Sequence, residues 1–302
     1  MITETTYFLK EINVEETCFE DPNISKEEIS IIDTYIEITK FVQEINNLFK
    51  AFMFNRDNMI SLYKFNVNDC LERTIENKFK QNDYILVNTL IINYISIGKS
   101  VTEAIENFGR YIFGKKSDRF IEFKNKCISK TYDEEFSYRF LYLLRNLSQH
   151  CHFIVSVDSG NRYSFNIDQI LSTKNYDFNE TMKEELTKIR EEIYNKFNDH
   201  PRISVTTTIV KYHLSVIKIY LDSLEYVETI MEEYYNKINQ IIKENPKLVH
   251  KSNNCLDGYV LYKMEDNRIH SFNSKDKFLD MFKRIKEEIK KIYKDESKYL
   301  EI

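Results

Sequence analysis

The chain has no tryptophan and, among 302 residues, only 5 glycines and 3 prolines. Average proteins carry roughly 12% of these two residues, so long stretches here run without a helix breaker. An excess of positive charge is also missing. The 43 Lys and Arg are outnumbered by 48 Asp and Glu, for a net charge of −5, which excludes a polybasic nucleic-acid coat. The 5 cysteines are odd in number and form no Cys-x-x-Cys pair, which fits reduced thiols in a cytoplasm better than a disulfide framework. Met1 to Lys10 has no basic stretch leading into an apolar one, so no secretory leader is expected. No apolar run approaches the roughly 20 residues that span a bilayer. The best stretch, Tyr84 to Ile97, is interrupted by Asn88, Thr89, Asn93 and Ser96. The expectation is a cytoplasmic protein without a membrane segment.

What is present is apolar and aromatic. Hydrophobic residues make up 42%, with 21 Phe and 21 Tyr, which excludes a disordered polymer. At about 150 residues per domain the length allows one large or two small units. Ser25 and Glu28 have capping-box spacing and open a helical pattern through Ile32, Ile36, Ile45, Leu48 and Phe52, with a polar stretch at Asn55 to Asn58. A second long helix is predicted through Leu86, Leu90, Tyr94, Val101 and Phe108, then a turn at Gly114 with Ser117 as the next cap. Further helices are expected over 136–150, 179–197, 205–243 and 275–294. His152 to Val157 and Arg162 to Ile167 flank Asp158-Ser159-Gly160-Asn161, a hairpin signal, and a second hairpin is placed around Asp266-Asn267. The fold class is therefore all-α, a bundle of long helices with one or two small β-hairpins. Its parts are an N-terminal helical segment (1–55), a core (56–200), and a C-terminal long helix, hairpin and charged helix (201–302).

Several suggestive patterns dissolve on inspection. Gly98-Lys99-Ser100 mimics the end of a phosphate-binding P-loop, yet Asn93 stands where that motif needs glycine, and the segment is helical rather than a loop. His150, Cys151 and His152 lack a second ligand pair at zinc spacing, so no metal site is expected. His200, His213 and His270 are isolated in the sequence.

The segment from Tyr138 to His150 carries the most chemistry. Arg145 is followed by Asn146 and, after three further residues, by His150. On an ideal helix Phe136, Phe140, Leu143, Leu144 and Leu147 share a buried arc. Tyr138, Tyr142, Arg145, Asn146 and Gln149 fill the opposite arc, with His150 at its edge. The Cα atoms of Arg145 and His150 would lie roughly 9 Å apart, so both side chains can reach one phosphate. Arginine's planar fork binds non-bridging oxygens and stabilises developing negative charge. Histidine moves protons near neutrality, and Asn146 can orient it from one turn away. The bare spacing is weak by itself; a helix-terminal arginine and a capping histidine satisfy it equally well.

Taken with its surroundings, the segment resembles the HEPN superfamily (higher eukaryotes and prokaryotes nucleotide-binding). The likeness rests on Tyr138-Arg139-Phe140-Leu141-Tyr142 leading into Leu144-Arg145-Asn146-Leu147-Ser148-Gln149-His150, with Asn88 to Ser100 on a preceding helix. It implies an α-helical, metal-independent and cofactor-free endoribonuclease in which the RNA 2′-hydroxyl attacks and a 2′,3′-cyclic phosphate forms. Members commonly act in antiviral defence, abortive infection or toxin–antitoxin pairs, and many dimerise to build a composite site. The resemblance implies catalytic roles for Arg145, His150 and Asn146, and substrate contacts from Gln149, Ser148, Tyr138, Tyr142 and Asn93. Expected partners are RNA, a second copy of the chain, and an antitoxin or other regulatory protein. The alternative is a non-catalytic HEPN-like module that binds a protein, a nucleotide or RNA. The acidic balance departs from an RNA binder's usual charge, so any RNA contact must be local, with Arg110 to Lys116 and Arg119 as one positive patch.

Overall fold

Ser25 and Glu28 form the reciprocal box their spacing predicts. The Ser25 amide donates to Glu28 Oε2 at 2.7 Å, and the Glu28 amide donates to Ser25 Oγ at 3.2 Å. From there helix α1 (Lys26–Arg73) runs unbroken. The polar stretch at Asn55 to Asn58 does not interrupt it. Asn55 Nδ2 bonds back to the Ala51 carbonyl at 2.8 Å, and Arg56 reaches Asp57 and Glu296, so these polar groups are satisfied without leaving the helix. The computed structural model describes residues 6–10, 19–20, 25–73, 80–149, 154–157, 163–173, 180–197, 201–244, 262–265, 268–271 and 275–298.

The helices that follow are α2 (Lys80–Phe113), α3 (Asp118–Lys124), α4 (Lys130–Glu134), α5 (Phe136–Gln149), α6 (Ile167–Leu171), α7 (Glu180–Phe197), α8 (Val205–Glu244) and α9 (Lys275–Ser297). Gly114 takes φ +82°, a left-handed conformation that glycine adopts without a Cβ clash, and so ends α2. Ser117 then caps α3 by accepting from the Phe120 amide at 3.0 Å. One π-helical turn, Asn125–Ser129, joins α3 to α4. The all-α class stands, with two small antiparallel sheets added to it. Strands β3 (Ser156–Val157) and β4 (Tyr163–Asn166) pair as expected, and β5 (Arg202–Ser204) extends them. The second hairpin, β6 (Tyr262–Glu265) with β7 (Arg268–Ser271), is joined by β1 (Thr6–Lys10) and β2 (Phe19–Glu20), in the order β2-β1-β6-β7. The segment before Ser25 therefore contributes strands rather than helix, because β6 offers β1 an edge that no local pattern announces.

The chain divides into two compact units, 1–44 with 223–291 and 45–222 with 292–302, so the cuts fall within long helices rather than near 55 and 200. In the first unit Ile32, Tyr35, Ile38 and Val42 of α1 are buried, as are Leu224, Val227, Ile230 and Met231 of α8 and Phe282, Ile285 and Ile289 of α9. Lys286 of α9 there holds both oxygens of Glu228 at 2.6 and 2.7 Å.

The second unit contains α2 and α5 and is built around aromatic rings. Phe52 stacks on Tyr94 at 4.6 Å, and Tyr138 stacks on Tyr212 at 5.7 Å. The Tyr212 hydroxyl donates to the Ile95 carbonyl at 3.1 Å, the kind of partner a buried tyrosine needs. Among the described residues, the stretch Ile85–Phe113 of α2 is long and apolar enough to cross a membrane by length and composition only, a test that the core helix of a soluble protein also passes. The interrupting polar groups are satisfied on the spot. Thr89 Oγ1 donates to the Ile85 carbonyl, Ser100 Oγ to the Ser96 carbonyl, and Asn88 bonds across to residues 154 and 155. The apolar face of the helix, with Ile91, Tyr94, Ile95, Val101, Ile105 and Phe108, is buried in its own unit.

Candidate functional site

Helix α5 is buried on more than one side. Tyr138, Phe140, Leu141, Leu144 and Leu147 are all inside, because α2, α4, Tyr212 of α8 and Phe165 of β4 surround it. A two-faced pattern places Tyr138 on the open arc. It is instead 2% exposed, packed between Tyr212 and Tyr132, and cannot meet a substrate. Burial pushes its hydroxyl well above the ordinary tyrosine range. Phe136 and Leu143, expected inside, are only half-buried.

Arg145, Asn146 and Tyr142 are half-buried at the C-terminal half of α5, and here the structure adds a residue. Lys99 of α2 is 7% exposed and donates from Nζ to Asn146 Oδ1 at 2.9 Å. The same oxygen lies 3.4 Å from Arg145 Nη1. The Lys99 ammonium sits 4.3 Å above the Tyr142 ring, a cation–π contact, and 3.6 Å from Glu103 Oε1. Lys99 and Arg145 therefore both approach one amide oxygen, and Lys99 is paired with the half-exposed carboxylate of Glu103. Burial holds the Lys99 ammonium below the ordinary lysine range, with Glu103 opposing the shift and Arg145 adding to it. The Tyr142 hydroxyl is pushed up, by burial first and then by Glu103 and Glu106.

Ser148 has a committed hydroxyl, which donates to the Arg145 carbonyl at 2.7 Å and so belongs to the helix end. Asn93 is exposed on α2 and faces elsewhere, since six positions from Lys99 amount to about 240° of helix rotation. Gln149 closes α5, but its side chain lies outside the described residues, as does all of His150 together with Cys151 and His152. The hairpin turn 158–161 and the histidines at 200 and 250 also lie outside them. Among the described residues no group of His, Cys, Asp or Glu is placed to hold a metal ion. In the basic patch around the α2–α3 turn, Arg110 is paired with Glu106 at 2.6 Å and bonded to Asn107, while Lys115, Lys116 and Arg119 are exposed. That is a solvated turn, not a prepared site.

Two residues gain a role only in the structure. Asn88, 0% exposed, accepts from the amides of Ile154 and Val155 at 3.1 and 3.0 Å and donates to the Val155 carbonyl at 3.3 Å. It fixes the chain immediately downstream of the Arg145 segment. His213, isolated in sequence, is the centre of a buried array. Its Nδ1 lies 2.5 Å from the Tyr94 hydroxyl and its Nε2 lies 2.5 Å from Glu296 Oε2. Glu296 also pairs with Arg56. Nδ1 is hydrogen-bonded to the Tyr94 hydroxyl, and Nε2 faces the carboxylate as a close ion-pair contact. Burial raises the Glu296 carboxyl, but His213 and Arg56 outweigh it and hold it below the usual carboxylate range. Tyr94 at 0% and His213 at 5% exposure are closed to a substrate, so this array is structural. No local pattern around His213 signals it, because its partners Tyr94 and Glu296 come from helices far along the chain.

Compared with family models, curated proteins and solved structures, the chain matches none.

Proposed function

We propose that the protein is a metal-independent endoribonuclease of HEPN type, acting in the cytoplasm in antiphage defence or as a toxin. The observation that carries this reading is the placement of Arg145 and Asn146 on the last turns of α5, with Lys99 beside them, five and four residues before His150 in the sequence. A guanidinium supported by a second cation suits a phosphodiester, whose transition state carries added negative charge on its non-bridging oxygens. In the proposed step the 2′-oxygen bonds to phosphorus while its proton passes to a base. The bond from phosphorus to the 5′-oxygen breaks, and that oxygen takes up a proton. The products are a 2′,3′-cyclic phosphate and a 5′-hydroxyl. His150 supplies one of the two proton transfers, Arg145 stabilises the charge, and Asn146 positions the phosphate or the imidazole. A second copy of the chain completes the site, as closed two-fold assemblies permit.

The test is cleavage of a structured RNA in EDTA by the wild type and by Arg145→Ala and His150→Ala. Cleavage should fall by 100-fold or more in each variant, the scale of a lost charge-stabilising or proton-transfer group (~10²–10⁴). Unchanged cleavage in both variants rejects the site. Folded wild type that binds RNA without cutting it favours the non-catalytic HEPN-like module instead.

A further inference from the structure

Helix α8 is 40 residues long and starts directly from strand β5, with Ser204 as the residue between them. The first amides of a helix have no partner within it, and the aligned peptide dipoles leave positive partial charge there. An acidic side chain often offsets this charge, yet the first turn of α8 has none. Ser204, Thr206 and Thr207 are exposed at this end, and the Ser204 Oγ accepts from the Thr207 amide at 3.4 Å. A helix end alone selects no ligand, but the adjacent strand adds a buried donor. Ser164 of β4 stands directly opposite Ser204 in the ladder, so the two side chains rise from one face of the sheet as neighbours. The Ile167 amide donates to the Pro201 carbonyl at 3.1 Å, which ties the start of β5 to the end of β4. Ser164 is 7% exposed, and its Oγ has no hydrogen-bond partner among the described residues. A buried hydroxyl without a partner is costly, and packing alone is served equally well by alanine. Arg202 lies on the same face, two residues before Ser204, but it has interactions of its own, so the donors that matter here are neutral.

We propose that the start of α8, together with Ser164 and Ser204, is a binding site for a phosphate dianion, free or as the terminal phosphate of a small monoester. This does not depend on the reading of the Arg145 segment. The donors come from two elements: the first amides and the Ser204 hydroxyl at the end of α8, and the Ser164 hydroxyl from β4. A hydroxyl both donates and accepts, so Ser204 can keep the Thr207 amide and turn its own proton to the ligand. A terminal phosphate presents three oxygens to donors arriving from different directions. A carboxylate or a backbone phosphodiester presents two, which leaves part of this set unused. Two negative charges also gain more from the helix end than one does.

The probe is inorganic phosphate, and the readout is the thermal midpoint of the full chain, with sodium chloride at matched ionic strength as the blank. A ligand bound only by the folded chain raises the midpoint with its concentration, so the phosphate series yields an affinity. Ser164→Ala should weaken that affinity about tenfold, and Ser204→Ala by at least as much. Without phosphate, S164A should be as stable as the wild type or more so, because it removes an unpartnered hydroxyl. Thr206→Glu brings a carboxylate to the helix end. It should raise the midpoint in chloride and abolish the phosphate response, so that lost binding cannot be mistaken for a lost fold. Ribose 5-phosphate should give the same response as phosphate, whereas a 2′-O-methyl oligoribonucleotide without terminal phosphates should give none. A rise in chloride equal to that in phosphate overturns the site, as does a phosphate response that survives in S164A or in T206E. A response lost in R145A moves the phosphate to that segment and overturns the assignment to α8. A response to the oligoribonucleotide equal to that to phosphate overturns the choice of a dianion.

Discussion

At the scale of single residues, most of the information lies in polar side chains that have gone inside. Asn88 replaces strand pairing for two buried amides and one carbonyl of 154–155. Leaving a buried polar group without a partner costs about 1–3 kcal/mol each, so Asn88→Ala should lose about 2–5 kcal/mol. The urea midpoint measures this. Amide exchange at Ile154 and Val155 localises it, and undiminished protection there would contradict the assignment. Asn88→Asp, which keeps the acceptor for both amides, should lose less. Asn146 and Lys99 follow the same logic but with charge, since a nearly buried ammonium donates to the Asn146 amide oxygen. Arg145, Asn146 and their neighbourhood were legible in the sequence because residues on consecutive turns of one helix must share a region. Tyr138 was misplaced for the complementary reason. A helical wheel records which residues share a side, but not how many sides are covered.

Among the elements, α2 shows why a glycine in mid-helix can be worth its conformational cost. A Cβ on Gly98 would stand 2.5 Å from the Tyr212 hydroxyl and 3.0 Å from Phe52 Cε2. Gly98→Ala therefore gains helix propensity yet forces Tyr212 off its bond to Ile95. Overpacking of this kind costs about 1–3 kcal/mol, and thermal melts should show a lowered midpoint. Adding Tyr212→Phe removes the obstructing oxygen and should recover part of the loss. A double variant no better than the sum of the singles would reject the contact as the cause. The resemblance of Gly98-Lys99-Ser100 to a P-loop is thus accounted for residue by residue. Gly98 admits a tyrosine, Lys99 turns to Asn146, and Ser100 bonds within the helix. Strands were the least legible elements. The β3–β4 and β6–β7 hairpins carry turn signals, whereas β1, β2 and β5 are short segments recruited by edges that already exist.

At the scale of the whole molecule, the paired carboxylates set the response to acid. The Glu296 carboxyl is held below its ordinary range by His213 and Arg56 against the effect of burial, and Glu106 is lowered by Lys124 and Arg110 against the same effect. A depressed folded-state pKa means the unfolded chain binds the proton more readily. This contribution is present above the unfolded glutamate value, about 4.3, and is lost as pH falls through the lower folded value. Stability measured from pH 6 downward should therefore fall less steeply in Glu296→Gln than in the wild type. An identical slope would show that the array around His213 does not contribute to acid sensitivity.

The sequence by itself determined where most of the helices run, how several of them begin, and which segment carries an arginine, an asparagine and a histidine within six residues. These follow from interactions three or four residues apart, which a linear pattern contains in full. Tertiary structure decided that α1 is continuous, that Tyr138 is core, that His213 is not isolated, and that Lys99 stands beside Asn146 from 47 residues away. Each of these depends on which helix packs against which. Packing is selected by the fit and burial of whole faces, and no local spacing encodes the identity of the opposite face.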